Sequence, residues 1–240
     1  MRFNRIFLSI LLALLLPLSA CQQALATPAA TKSKEEGAFL DTLCFLGDST
    51  TAHMESRAPL NKNTCKSQLW CAKERYLNLD HKITYAKIVC PQNGQEMTIG
   101  EVAALVRPPY LVVTLGIDYG VYYYRNELQK FRHYYEKLLD TVKENSPDTT
   151  LILQSIFPVG RESSAITNEM VDNANAVILE ISRARGLFYA DTNALLKDAE
   201  GYLAPPYVDS ADGIHLTSEA YRVILEYFKA SETKIKETKK

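Results

Sequence analysis

Short apolar and β-branched runs alternate along most of this chain with longer segments whose apolar residues recur every three or four positions. The runs at 42–46, 83–89, 110–115, 150–156 and 187–190 read as strands, because continuous apolar stretches of this length suit strands buried on both faces. The segments between them read as helices. Thr98 stands three residues before Glu101, a capping box ahead of an apolar face at Val102, Leu105 and Val106. The segment 123–145 places Leu128, Phe131, Tyr135, Leu138, Leu139 and Val142 on one stripe, and helices at 168–186 and 217–231 complete the set. Strands alternating with helices predict βαβ units, and hence an α/β domain with a single doubly wound, five-stranded parallel sheet. Pro108-Pro109, Pro147, Pro158 and Gly186 fall at the predicted boundaries. The stretch from 58 to 81 has no clear period, carries Trp70 and two cysteines, and reads as a long functional connection.

The two ends add location. Residues 1–20 carry Arg2 and Arg5, then an apolar run of about fifteen residues, then small residues, the layout of a secretory signal peptide. The run is short for a membrane span, which takes about 20 residues, so membrane contact is expected only through a lipid. Leu18-Ser19-Ala20-Cys21 resembles the lipobox of bacterial lipoproteins, with Cys21 as the lipidation site, while cleavage after Ala24-Leu25-Ala26 would release a secreted protein instead. Residues 21–38 read as a flexible tether, 39–232 as the domain and 233–240 as a charged tail. Losing the leader removes two arginines and no acid, taking the formal charge from −1 to −3, which gives no electrostatic case for nucleic acid. Cys44, Cys65, Cys71 and Cys90 remain; in an exported protein they suggest disulfides, Cys65 with Cys71 first, though Cys44 and Cys90 also suit buried strands as free thiols. No C-x-x-C or neighbouring histidine supports a metal.

In an open parallel sheet, chemistry sits just beyond the carboxyl ends of the strands. After the first strand comes Gly47-Asp48-Ser49, where Asp48 or Ser49 can cap the next helix, or Ser49 can act as a nucleophile at the positive helix end. Near the other end, Asp212-Gly213-Ile214-His215 precedes the last helix. A serine hydroxyl needs a base and the base needs an acid to hold its tautomer, so Ser49, His215 and Asp212 are the candidate catalytic residues. His53, His81 and His133 read as structural or solvated. These two blocks resemble the SGNH/GDSL hydrolases, and the resemblance spans 43–228. It implies a flavodoxin-like fold, no cofactor, Ser49 as nucleophile with its N–H as one oxyanion donor, and a second donor from a glycine block, for which Gly94 is the best match.

The family's G-x-N-D block reads here Gly116-Ile117-Asp118-Tyr119, so an aspartate stands where an asparagine normally donates to the oxyanion. A working enzyme then has two routes. Asp118 is held protonated by apolar surroundings shielded by Tyr119, the favoured expectation, or it turns away while another group fills the hole. Tyr119 and Tyr207 are candidate substrate-binding residues because amphipathic rings suit sugars, unless they simply pack on the domain. The resemblance and the leader together imply an extracytoplasmic serine esterase acting on O-acyl, above all O-acetyl, esters of a carbohydrate. The alternatives are a lysophospholipase or thioesterase, or a surface glycan-binding lipoprotein on the same scaffold.

Overall fold

The computed structural model describes residues 39–60, 65–209 and 211–238; the leader, Cys21 and the tether lie outside them. In chain order the elements are β1 (Leu43–Gly47), α1 (Ser49–Arg57), α2 (Cys65–Gln68), β2 (Leu69–Trp70), β3 (Lys87–Val89), β4 (Glu96–Thr98) and α3 (Ile99–Val106). They continue with β5 (Tyr110–Thr114), α4 (Leu128–Asn145), β6 (Thr150–Gln154), α5 (Asn168–Arg185), β7 (Phe188–Ala190), α6 (Asn193–Leu196), α7 (Ser218–Ala230) and α8 (Glu232–Glu237). Five strands form one parallel sheet in the order β2-β1-β5-β6-β7. Alternate residues of each strand enter opposite layers: Cys44, Leu46, Leu111, Val113, Leu151 and Leu153 face one core, while Leu43, Phe45, Tyr110, Val112 and Ile152 face the other. Helices α4 and α5 cover the first layer and α7 the second. Burial on both faces is why these strands carry no polar alternation.

Two expectations need correcting. The second strand of the sheet is not 83–89 but β2, whose Trp70 is in register with Leu46 of β1. Residues Ile83–Tyr85 form a 3-10 turn, and β3 pairs antiparallel with β4 in a separate hairpin. Fully buried Trp70 holds the short strand in place. Within the charged tail, Ile235 on α8 is buried in the second core and Lys236 lies over the Phe39 ring. Cys44, Cys65, Cys71 and Cys90 are all free thiols, so the expected Cys65–Cys71 bridge is not formed. The Thr98–Glu101 capping box is present as read from the sequence.

Candidate active site

The sheet order reverses at β1: the chain steps outward to β2 and then returns past β1 to β5. The crevice between the carboxyl ends of β1 and β5 is therefore the place for a ligand. Gly47 closes β1 against β5; a Cβ there would stand 2.3 Å from the Thr114 carbonyl and 2.1 Å from Thr51 Oγ1. Asp48 follows at the N-cap of α1 but makes no capping bond. Its buried carboxylate accepts instead from the Gly116 and Ile117 N–H groups, both at 3.0 Å, and from the Thr50 hydroxyl. Asp48 thus ties the loop after β5 to the start of α1, which sets Asp118 against Ser49.

Burial, and secondly the charge of Asp118, push the Asp48 carboxyl up from 3.8 to about 7, against the bonds from Gly116, Thr50 and Ile117. The folded state then holds a proton that the unfolded state has released, so this group's stabilisation is complete near pH 4 and is lost as pH rises towards 7. Asp48→Asn should keep the three hydrogen bonds, with its amide donating to Thr50. The variant should therefore gain in thermal midpoint relative to wild type between about pH 4.5 and about pH 8. A difference independent of pH would remove Asp48 from this role.

The segment carrying His215, the candidate base, runs back across the same edge. Gly213 has φ +70°, and a Cβ there would come 2.8 Å from the Ser163 N–H nitrogen, so only glycine allows the turn between Asp212 and His215. Asp212 accepts from the Ile214 N–H at 2.9 Å and lies 3.1 Å from His215 Nδ1. His215 Nε2 is 3.3 Å from Ser49 Oγ. The structure therefore brings Ser49, His215 and Asp212 into one hydrogen-bonded chain, although 166 residues separate Ser49 from His215.

Asp118 is not in an apolar pocket. Its side chain is exposed, since the chain leaves β5 through a run of turns and the Tyr119 ring stacks on Tyr123, 4.0 Å between centroids. The carboxylate accepts from the Ser49 N–H at 2.9 Å and from its hydroxyl at 2.6 Å. Two acceptor oxygens suit the ionised form, so the expectation of a protonated, shielded donor is withdrawn. Gly94 is corrected as well: it lies in the β3–β4 hairpin turn, where its N–H donates to the Cys90 carbonyl at 2.8 Å. The error follows from the strand reading, since the residue beyond the true second strand is Cys71. Tyr207 packs half-buried against the second core, and its carbonyl accepts the Thr217 N–H ahead of α7.

His53, read as structural or solvated, packs against His215 with ring centroids 4.3 Å apart. Its position four residues after Ser49 on one helix face was the signal for it. Arg57 Nη1 lies 3.0 Å from His53 Nδ1, and because a guanidinium only donates, Nδ1 must be unprotonated. Arg57 also donates to the Leu216 carbonyl and pairs with Asp209, whose N–H donates to the His215 carbonyl at 2.9 Å. Burial first, then His215 and Arg57, pull the His53 pKa down to about 4. A neutral ring of fixed tautomer therefore backs His215.

Comparison with known proteins bears on the family and the fold. The sequence profile of the GDSL-like lipase/acylhydrolase family matches residues 45–223, from β1 into α7. The chain belongs to that family. A solved GDSL-like lipase from Bacteroides thetaiotaomicron is similar over 85% of this chain and 97% of its own, with 16% identity and a TM-score of 0.57. A carbohydrate esterase family 3 structure from Talaromyces cellulolyticus covers 81% of this chain and 98% of its own, at 15% identity and a TM-score of 0.52. At such identities the likeness to either structure is one of fold. No curated protein sequence matches. Asp118, expected from the resemblance to be a departure, holds both the N–H and the hydroxyl of Ser49, the candidate nucleophile.

Proposed function

We propose that this GDSL hydrolase is a serine esterase that removes O-acyl groups, favouring O-acetyl esters on a carbohydrate. The observation that carries the reading is the Ser49–His215–Asp212 chain, with spacings of 3.3 and 3.1 Å. Ser49 Oγ attacks the ester carbonyl while its proton passes to His215 Nε2, and Asp212 holds the imidazole through Nδ1. His215 gives that proton to the departing alcohol, then takes one from water as the water attacks the acyl-serine. Acetate leaves and Ser49 regains its proton. The Ser49 N–H is one donor to the oxyanion once Asp118 has released it.

One observation supports a carbohydrate over a lipid. Tyr122 and Tyr123, four and five residues after Asp118 in sequence, present exposed rings, and the Arg125 guanidinium lies over Tyr122 at 4.4 Å. The site is proposed to work outside the cytoplasm, with the chain anchored through Cys21. The purified domain should release acetate from acetylated xylo-oligosaccharides, and in a host that processes lipoproteins labelled palmitate should enter wild type and not Cys21→Ser. Preferential cleavage of a lysophospholipid would overturn the substrate reading, and unlabelled wild type the anchor. A second reading, a glycan-binding protein of little activity, is favoured by one feature, the hold of Asp118 on both the N–H and the hydroxyl of Ser49.

A further inference from the structure

Helix α1 turns two adjacent sides towards different neighbours. His53 packs on His215, whereas Ala52, three residues after Ser49, forms part of the wall of a cavity of about 410 Å³. That volume lies within the usual range for small-molecule sites, roughly 300–1,000 Å³. Ser49 does not itself line the cavity, but residues i and i+3 of a helix are neighbours on its surface, so the cavity wall starts one turn along α1 from Ser49. Its opposite wall is Cys71, the residue after β2, at the same edge of the sheet. Leu69, Val89 and Pro91 supply apolar surface.

The charge of this wall runs against that of the chain. Lys66, Lys73 and Arg75 line the cavity against one carboxylate, Glu55, in a protein whose formal net charge is −1. Lys73 is 3.7 Å from Glu96, and Lys66 forms no ion pair among the described residues. Arg75 is the most specific of the three. It holds a left-handed backbone, φ 66°, which residues with a Cβ rarely adopt. Its Nη2 donates to the Ala52 carbonyl at 2.9 Å and lies 3.5 Å from Glu55. Among the described residues its Nε and Nη1 have no acceptor. With Nη2 engaged by Ala52 and Glu55, Nε–H and Nη1–H remain as separate single donors, each able to give one charge-assisted hydrogen bond to a carboxylate oxygen.

We propose that this cavity is a subsite for a carboxylate-bearing sugar, so that the ester removed at Ser49 is carried on or beside a uronic acid. The proposal rests on the esterase reading for its kinetics but not for its binding. The test pairs the 3-O-acetyl esters of methyl galactopyranosiduronate and methyl galactopyranoside, which differ in the carboxylate. Wild type should favour the acidic ester by about tenfold or more in kcat/KM, as expected for one charge-assisted hydrogen bond, with the ratio falling as salt rises. Arg75→Gly removes the guanidinium while suiting the backbone, and should bring the ratio close to one. Arg75→Lys should keep part of it. Calorimetry on Ser49→Ala should show the unacetylated uronide binding more tightly than the neutral glycoside. Equal cleavage of both esters, or a preference that survives Arg75→Gly, overturns the subsite and leaves the esterase standing. If neither ester is cleaved the esterase reading is at fault, and the calorimetric comparison alone decides the subsite.

Discussion

Alanine in place of Ser49 or His215 is expected to lower kcat on an activated acetyl ester by about 10⁶-fold, with the circular dichroism spectrum unchanged. Each removes one end of a single proton path, so the double variant should be no worse than either alone. Folding should survive because neither side chain lies in the apolar core: Ser49 stands at the start of α1 and His215 in the turn before α7. The alternative base nearest to hand is His53, whose ring packs on His215. It is poorly suited, since its Nδ1 is occupied by Arg57 and its pKa is pulled down to about 4. Substantial activity in His215→Ala would nevertheless assign the proton to another residue and break the account of the triad.

Asp118→Asn is expected to raise kcat by about 10²-fold or more with little change in KM. In the resting arrangement the Ser49 hydroxyl is 2.6 Å from Asp118 and 3.3 Å from His215, so its proton is directed away from the base. The Ser49 N–H, needed for the oxyanion, is also taken by Asp118. An amide in the same place has a donor to offer, and one oxyanion donor is worth roughly 2.7–4 kcal/mol. Removing the carboxylate also relieves repulsion of the developing oxyanion, about 1 kcal/mol at 4 Å in water and about 4 at an effective dielectric near 20. Exposure of Asp118 puts the second contribution nearer its lower figure, so the donor dominates. The same substitution removes a charge that raises the Asp48 pKa, so the pH dependence of stability should weaken with it. A lower kcat in Asp118→Asn across the pH range would mean that the carboxylate itself has a productive role.

What the sequence made legible here was local or periodic. Four strands of the sheet and the helices α3, α4, α5 and α7 follow from apolar spacing, and the two catalytic blocks each fit within four residues. β2 is only two residues long and lies in a stretch without period, so the expected second strand fell on the hairpin instead, and with it the assignment of Gly94. The environment of Asp118 was misjudged because its neighbours in sequence are apolar: Leu115, Gly116 and Ile117 after β5 are indeed buried, but Asp118 itself is exposed. The part played by Asp48 depends on β1 and β5 lying side by side, which no spacing reveals. His53 and Arg57 occupy successive i, i+4 positions from Ser49, so their alignment was present in the sequence. Their partner Asp209 is brought to Arg57 only by the fold.

The central claim is that Ser49 is an activated nucleophile despite the carboxylate resting on it. The most direct measurement is reaction of the folded domain with a serine-directed fluorophosphonate, followed by mass spectrometry of the modified peptide. The account predicts a single adduct on Ser49, absent from Ser49→Ala and formed faster in Asp118→Asn. A folded domain that acquires no adduct, in wild type and in Asp118→Asn alike, would contradict it and leave a carbohydrate-binding protein on a hydrolase fold.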